Sequence, residues 1–185
     1  MKWRVVNYYA WLTMSSFKGL LLLFGVKFKM CLGFSRYQYR DIVVINANRA
    51  ACSSIVFFKR TSAAIDVIKT TDSCRFNRVL NQIRIVVNVK MPLKAMYHRN
   101  GRICLVDMTQ WPFEKQPEAS IKEYACTLVR ESTRGRICQN KIPCVKRTEA
   151  RIEKVCVEEA IRFVRKWNDG SFDWIGYQNS TLRKR

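Results

Sequence analysis

The chain has 185 residues, with 34 Lys/Arg against 14 Asp/Glu, a formal charge of +20 and a hydrophobic fraction of 48%. That apolar content excludes a disordered polycation, and seven glycines with four prolines exclude a linker or collagen-like chain. Charge of this size strains a compact state by self-repulsion, so it argues against an ordinary acidic cytosolic enzyme and for a polyanionic partner, most commonly nucleic acid.

Residues 1–40 hold seven Lys/Arg and no carboxylate. Their apolar run, residues 19–26, is too short to span a bilayer, which takes about 20 apolar residues. A secretory signal fits poorly because Lys27 and Lys29 stand where a small-residue cleavage site belongs, and an organelle presequence would be richer in Ser and Arg. The segment reads as an element packed on the domain, or as an interfacial amphipathic stretch able to touch a membrane surface. At its end, a strand over residues 36–40 puts Tyr37 and Tyr39 on one face and Arg36 and Arg40 on the other. Exposed, those tyrosines would stack on unpaired bases; the simpler reading buries them.

The middle of the chain reads as β-rich. Residues 41–45 and 54–59 are short β-branched and aromatic runs that suggest a strand pair, followed by a short helix over residues 62–69 with Ser62 as its cap. Residues 72–81 give no decisive pattern. Residues 82–91 alternate, with Ile83, Ile85, Val87, Val89 and Met91 on one face, and Pro92 ends the run. Asn100-Gly101 then joins two strand-like runs as a hairpin turn whose two residues both take φ > 0. This turn sets Arg99 opposite Arg102, either solvated at the tip or gripping an anion.

The last third reads as helical. Pro117 opens a helix that runs through Arg134 and stops at Gly135. A second helix covers residues 149–167 with Thr148 as its cap, acids early and bases late, in keeping with the helix dipole. Its outer row is Arg151, Lys154, Glu158, Arg162 and Arg165. The intervening loop supplies Arg134, Arg136, Lys141, Lys146 and Arg147 and lacks acids. If the two helices pack antiparallel, loop and row form one electropositive surface for phosphates, the alternative being solvated charge.

Eight cysteines occur without a C-x-x-C pair, and His98 is the only histidine, which excludes a Cys₂His₂ zinc site within one chain. Cys126, Cys138, Cys144 and Cys156 are conceivable as a Cys₄ set, and Cys138 with Cys144 as a disulfide; buried small hydrophobes are the simpler reading. No nucleophile, zincin or phosphate-loop motif is present, so no catalysis, cofactor or metal is expected.

The expected fold is α+β: an antiparallel sheet of about four or five strands packed against a C-terminal helical hairpin. Residues 1–40 form the basic leading segment, 41–170 the domain, and 171–185 an aromatic and basic tail. The expected function is a small, intracellular, non-enzymatic nucleic-acid-binding protein with RNA favoured, such as a viral accessory or organellar ribosome-associated factor. Its phosphate contacts would come from Arg134, Arg136, Lys141, Lys146, Arg147, Arg151, Lys154, Arg162 and Arg165, with Arg99 and Arg102 at the hairpin tip. Two alternatives stand beside it. One is a secreted or membrane-surface protein for acidic glycans or lipids, pointed to by the Asn179-Ser-Thr181 sequon; the other is a protein-interaction module docking through the aromatics of residues 171–177.

Overall fold

The computed structural model describes residues 36–140 and 146–167, apart from the side chains of Lys146 and Arg147. Residues 1–35 of the leading basic segment, Lys141, Cys144, the tail aromatics and the sequon lie outside the described residues. The described residues belong to one compact unit spanning Ser35–Gly170.

Five strands form one sheet: β1 (Arg36–Tyr39), β2 (Ile42–Asn46), β3 (Ile85–Asn88), β4 (Ala95–His98) and β5 (Ile103–Val106), in the order β1-β2-β3-β5-β4. The expected all-antiparallel sheet is corrected. β1–β2 and β4–β5 are antiparallel, whereas β2–β3 and β3–β5 are parallel. The parallel pairing follows from what lies between β2 and β3, two helices long enough to carry the chain back to the same end of the sheet. They are α1 (Ser54–Thr71) and α2 (Ser73–Gln82).

The strand expected over residues 54–59 is therefore the first turns of α1. Ser53 caps it by accepting the Val56 N–H, and Phe57, Thr61, Ala64, Ile65 and Ile68 bury one face at helical spacing. Tertiary packing thus overrides the β preference of Ile55-Val-Phe-Phe58. The strand expected over residues 82–91 shrinks to β3, because Gln82 ends α2 and Val89 lies past the ladder.

Register explains why the central strands read as unbroken apolar runs. Tyr37, Val44, Val86, Cys104 and Tyr97 pair in one row across all five strands. At one end of this row Tyr37 stacks on Phe58 of α1, with ring centroids 5.0 Å apart. At the other, Tyr97 packs on Gly135 of α3 (Pro117–Gln139). The β1 tyrosines thus face a helix: Tyr39 Oη donates to Asp66 of α1. The opposite face is also apolar, with Ile45, Val87, Ile103 and Leu105 buried, so β2, β3 and β5 lose the half-polar alternation of a one-sided sheet.

At the carboxyl ends of the parallel strands, a buried polar clamp holds the loops. Asn88 Nδ2 donates to Asn46 Oδ1 (2.8 Å), while Asn88 Oδ1 accepts the Met108 N–H (3.1 Å). Asp107 accepts the main-chain N–H groups of Met91 and Thr109. All of these bonds are internal, so the clamp directs the chain from β5 through the short 3₁₀ helix Met108–Gln110 toward α3.

α3 packs on α1, on α2, on β4 and on α4 (Lys146–Val164), so the two C-terminal helices do pair. Two helix ends differ from expectation. α3 runs through Gly135 to Gln139, because the glycine serves as a seat for Tyr97 and does not end the helix. α4 begins at Lys146, before Thr148. Among the described residues no helix is long and apolar enough to cross a membrane.

Candidate nucleic-acid interface

The starting ends of β3 and β5 gather arginines. Arg84 precedes β3 and Arg102 precedes β5, and the Arg84 N–H donates to the Arg102 carbonyl (2.8 Å). The β4–β5 connection is a four-residue turn, 99–102, in which the Arg102 N–H reaches the Arg99 carbonyl (3.3 Å). Positive φ falls on Gly101 (98°) and Arg102 (52°), not on Asn100 and Gly101 as expected for a two-residue turn. Arg99 and Arg102 consequently flank the turn without being a strand pair, since the last pair is His98 with Ile103. Arg40 stands at the β1–β2 turn of the same sheet end, also at positive φ (52°), over the ring of Phe76.

The C-terminal end of α3 reaches this same place through Tyr97. Its ring meets Gly135, its main-chain N–H donates to Glu131 Oε2 (3.0 Å), and its Oη donates to the Gln82 carbonyl (3.1 Å). Burial raises the Tyr97 pKa, and the phenol senses Arg102 from the hairpin and Cys138 from α3 together. Arg136, one residue past Gly135, is exposed here. The hairpin arginines and the start of the basic loop, far apart in sequence, therefore share one end of the fold.

Among the described residues, no carboxylate pairs with Arg40, Arg84, Arg99, Arg102 or Arg136. Part of their charge offsets helix dipoles: Arg102 Nη1 donates to the Asn81 carbonyl in the last turn of α2 (3.0 Å), and α3 ends nearby. The C-terminal end of each helix carries roughly half a negative charge. With Asp41 as the adjacent acid, a surplus of about three positive charges remains by that accounting.

Several other cations meet acids. Arg134 is tucked against Glu131 and Glu153, and Arg130 faces the same two carboxylates, in a buried cluster between α3 and α4. Burial opposes the Arg134 charge, but Glu131 and Glu153 prevail and its pKa ends raised. On α4, Arg162 pairs with Glu159 (2.9 Å) and Lys154 with Glu158 (4.0 Å). Glu159 also takes Arg75 and Arg78 of α2. Burial would push the Glu159 carboxyl up, yet Arg78, Arg75 and Arg162 outweigh it and hold it below its ordinary range. Arg151 is exposed on α4, and Arg165 is exposed just past its end. Arg162 and Arg165 lie about 16–21 Å along the helix from Arg151, toward the end where Lys166 meets Asp72.

Of the residues expected to hold phosphate, Arg99, Arg102 and Arg136 thus come together. Arg134 is spent internally, and Arg162 and Arg165 sit far along α4. Lys141 and the side chains of Lys146 and Arg147 lie outside the described residues. Sequence reading missed Arg84, taken for the polar side of a strand, and weighed Arg40 only as a cation beside the β1 tyrosines; the parallel β2–β3–β5 register brings both to this end. Among the described residues no His, Cys, Asp and Glu group is arranged to hold a metal ion. Comparison with protein-family models, curated proteins and solved structures finds no match to this chain.

Proposed function

We propose that the chain is a small basic nucleic-acid-binding protein without catalytic activity, gripping phosphates through Arg84, Arg99, Arg102 and Arg136, with Arg40 beside them. RNA is the favoured partner, and a viral accessory or organellar ribosome-associated role is the favoured setting. The observation that supports this reading is the clustering of arginines without carboxylate partners at one sheet end. Carboxylates pair with Arg78, Arg134 and Arg162 on the helices, while among the described residues five arginines gathered at the sheet end have none. Exposed guanidinium groups left without acids suit phosphate, which their planar fork can engage through two hydrogen bonds at once.

Each phosphate neutralised releases condensed counterion, so affinity for random-sequence RNA should fall steeply with salt. A log–log slope between about −2 and −4 is expected for the cations present. Anisotropy titration of labelled RNA against the full chain measures it, and a flat response to salt overturns the reading.

A further inference from the structure

We infer that the nucleic acid taken by the arginine end is double-helical and is held by its backbone. The inference rests on the phosphate-binding reading above and specifies its partner. Unpaired strands are held by rings that stack on bases beside cations that hold phosphates. Among the described residues, the tyrosine and phenylalanine rings adjoining this end are committed internally, and the half-exposed His98 ring lies against the Asn100 carbonyl (3.3 Å). Tyr37 stacks on Phe58, Tyr39 donates to Asp66, and Tyr97 is fixed between Gly135 and the Gln82 carbonyl. Phe76 lies under Arg40 and is buried. Among the described residues, what this end exposes is chiefly Arg40, Arg84, Arg99, Arg136 and the Asn100-Gly101 tip.

The arrangement of the cations points the same way. Arg84 and Arg102 stand just before the neighbouring strands β3 and β5, and Arg99 just after β4, so the row runs about 10 Å across the sheet at the usual strand spacing. α3 carries Arg136 in a second layer, about 10 Å off the sheet at ordinary packing distance. A two-dimensional patch of this breadth matches phosphates on both sides of a groove, such as the roughly 12 Å major groove of B-form DNA or the wide, shallow minor groove of A-form RNA. A single file of cations would instead track one strand.

The test compares a labelled 20-base-pair RNA duplex of mixed sequence with one of its strands, chosen not to self-pair. Both are titrated with the full chain at the same salt and again at higher salt. The expected result is duplex binding at least tenfold tighter than single-strand binding, weakened by salt, with little change when base pairs are permuted. Equal or tighter salt-dependent binding of the single strand overturns the duplex inference and leaves the phosphate reading standing. Absence of salt-dependent binding to either RNA overturns both.

Discussion

A Cβ placed on Gly135 would stand 2.7 Å from Cζ of Tyr97, so the hairpin is seated on α3 through a contact that only glycine permits. Tyr97 has little room to yield, since its N–H is held by Glu131 and its hydroxyl by Gln82. Helix propensity alone favours Gly135→Ala by about 1 kcal/mol, whereas overpacking costs about 1–3 kcal/mol. Gly135→Ala should therefore lower stability by up to about 2 kcal/mol in urea unfolding. A stabilised variant would mean that the ring moves aside freely.

Glu131 is 1% exposed and serves two ends at once, taking the outward N–H of edge strand β4 and the charge of Arg130 and Arg134. Glu131→Gln keeps an acceptor for Tyr97 but leaves positive charge uncompensated between α3 and α4. Removing one partner from a buried ion group costs about 3–5 kcal/mol. The variant should approach that loss in chemical denaturation, and a change under about 1 kcal/mol would place the cluster effectively in water.

Much of the fold is legible in the residues. Periodicity marks α3 and α4, alternation marks β1, and Asn100-Gly101 marks the β4–β5 hairpin, although Gly101 and Arg102 carry the positive φ. α1 is disguised because Ile55-Val-Phe-Phe58 resembles a strand until its burial is tied to Thr61, Ala64, Ile65 and Ile68. Parallel pairing is disguised because it depends on the length of the crossover rather than on β2 or β3. For the site, a count of Lys/Arg cannot separate spent charge from available charge. A signal was present at i,i+3 spacing, in Glu131 with Arg134 and Glu159 with Arg162, but the second partner of each, Glu153 and Arg78, comes from another helix. Arg84 and Arg102 become neighbours only through the β3–β5 register.

Acid should loosen the contact between the start of α2 and Lys166, just past α4. Burial would raise the Asp72 pKa, but Lys166, the Arg75 N–H and the Arg75 guanidinium outweigh it and hold the group down at about 2. A carboxyl with a folded pKa below its unfolded value of about 3.9 adds stability above the unfolded value and loses it as pH falls through the folded one. About 2 kcal/mol should therefore drain away between roughly pH 4 and pH 2. Asp72→Asn should flatten that part of the stability profile, read by thermal unfolding across pH. A variant with the wild-type acid slope would contradict the assignment.

The central claim is that position, not total charge, makes the sheet end the phosphate-binding surface. Two double variants remove the same charge from different places. Arg99→Gln with Arg136→Gln strips arginines that lack carboxylate partners, and Lys154→Gln with Arg162→Gln strips cations paired along α4. The direct measurement is the salt dependence of RNA affinity for both variants beside the wild-type chain. The account predicts that the sheet-end variant loses about two units of log–log slope while the α4 variant stays near wild type. Equal losses from the two variants would contradict it.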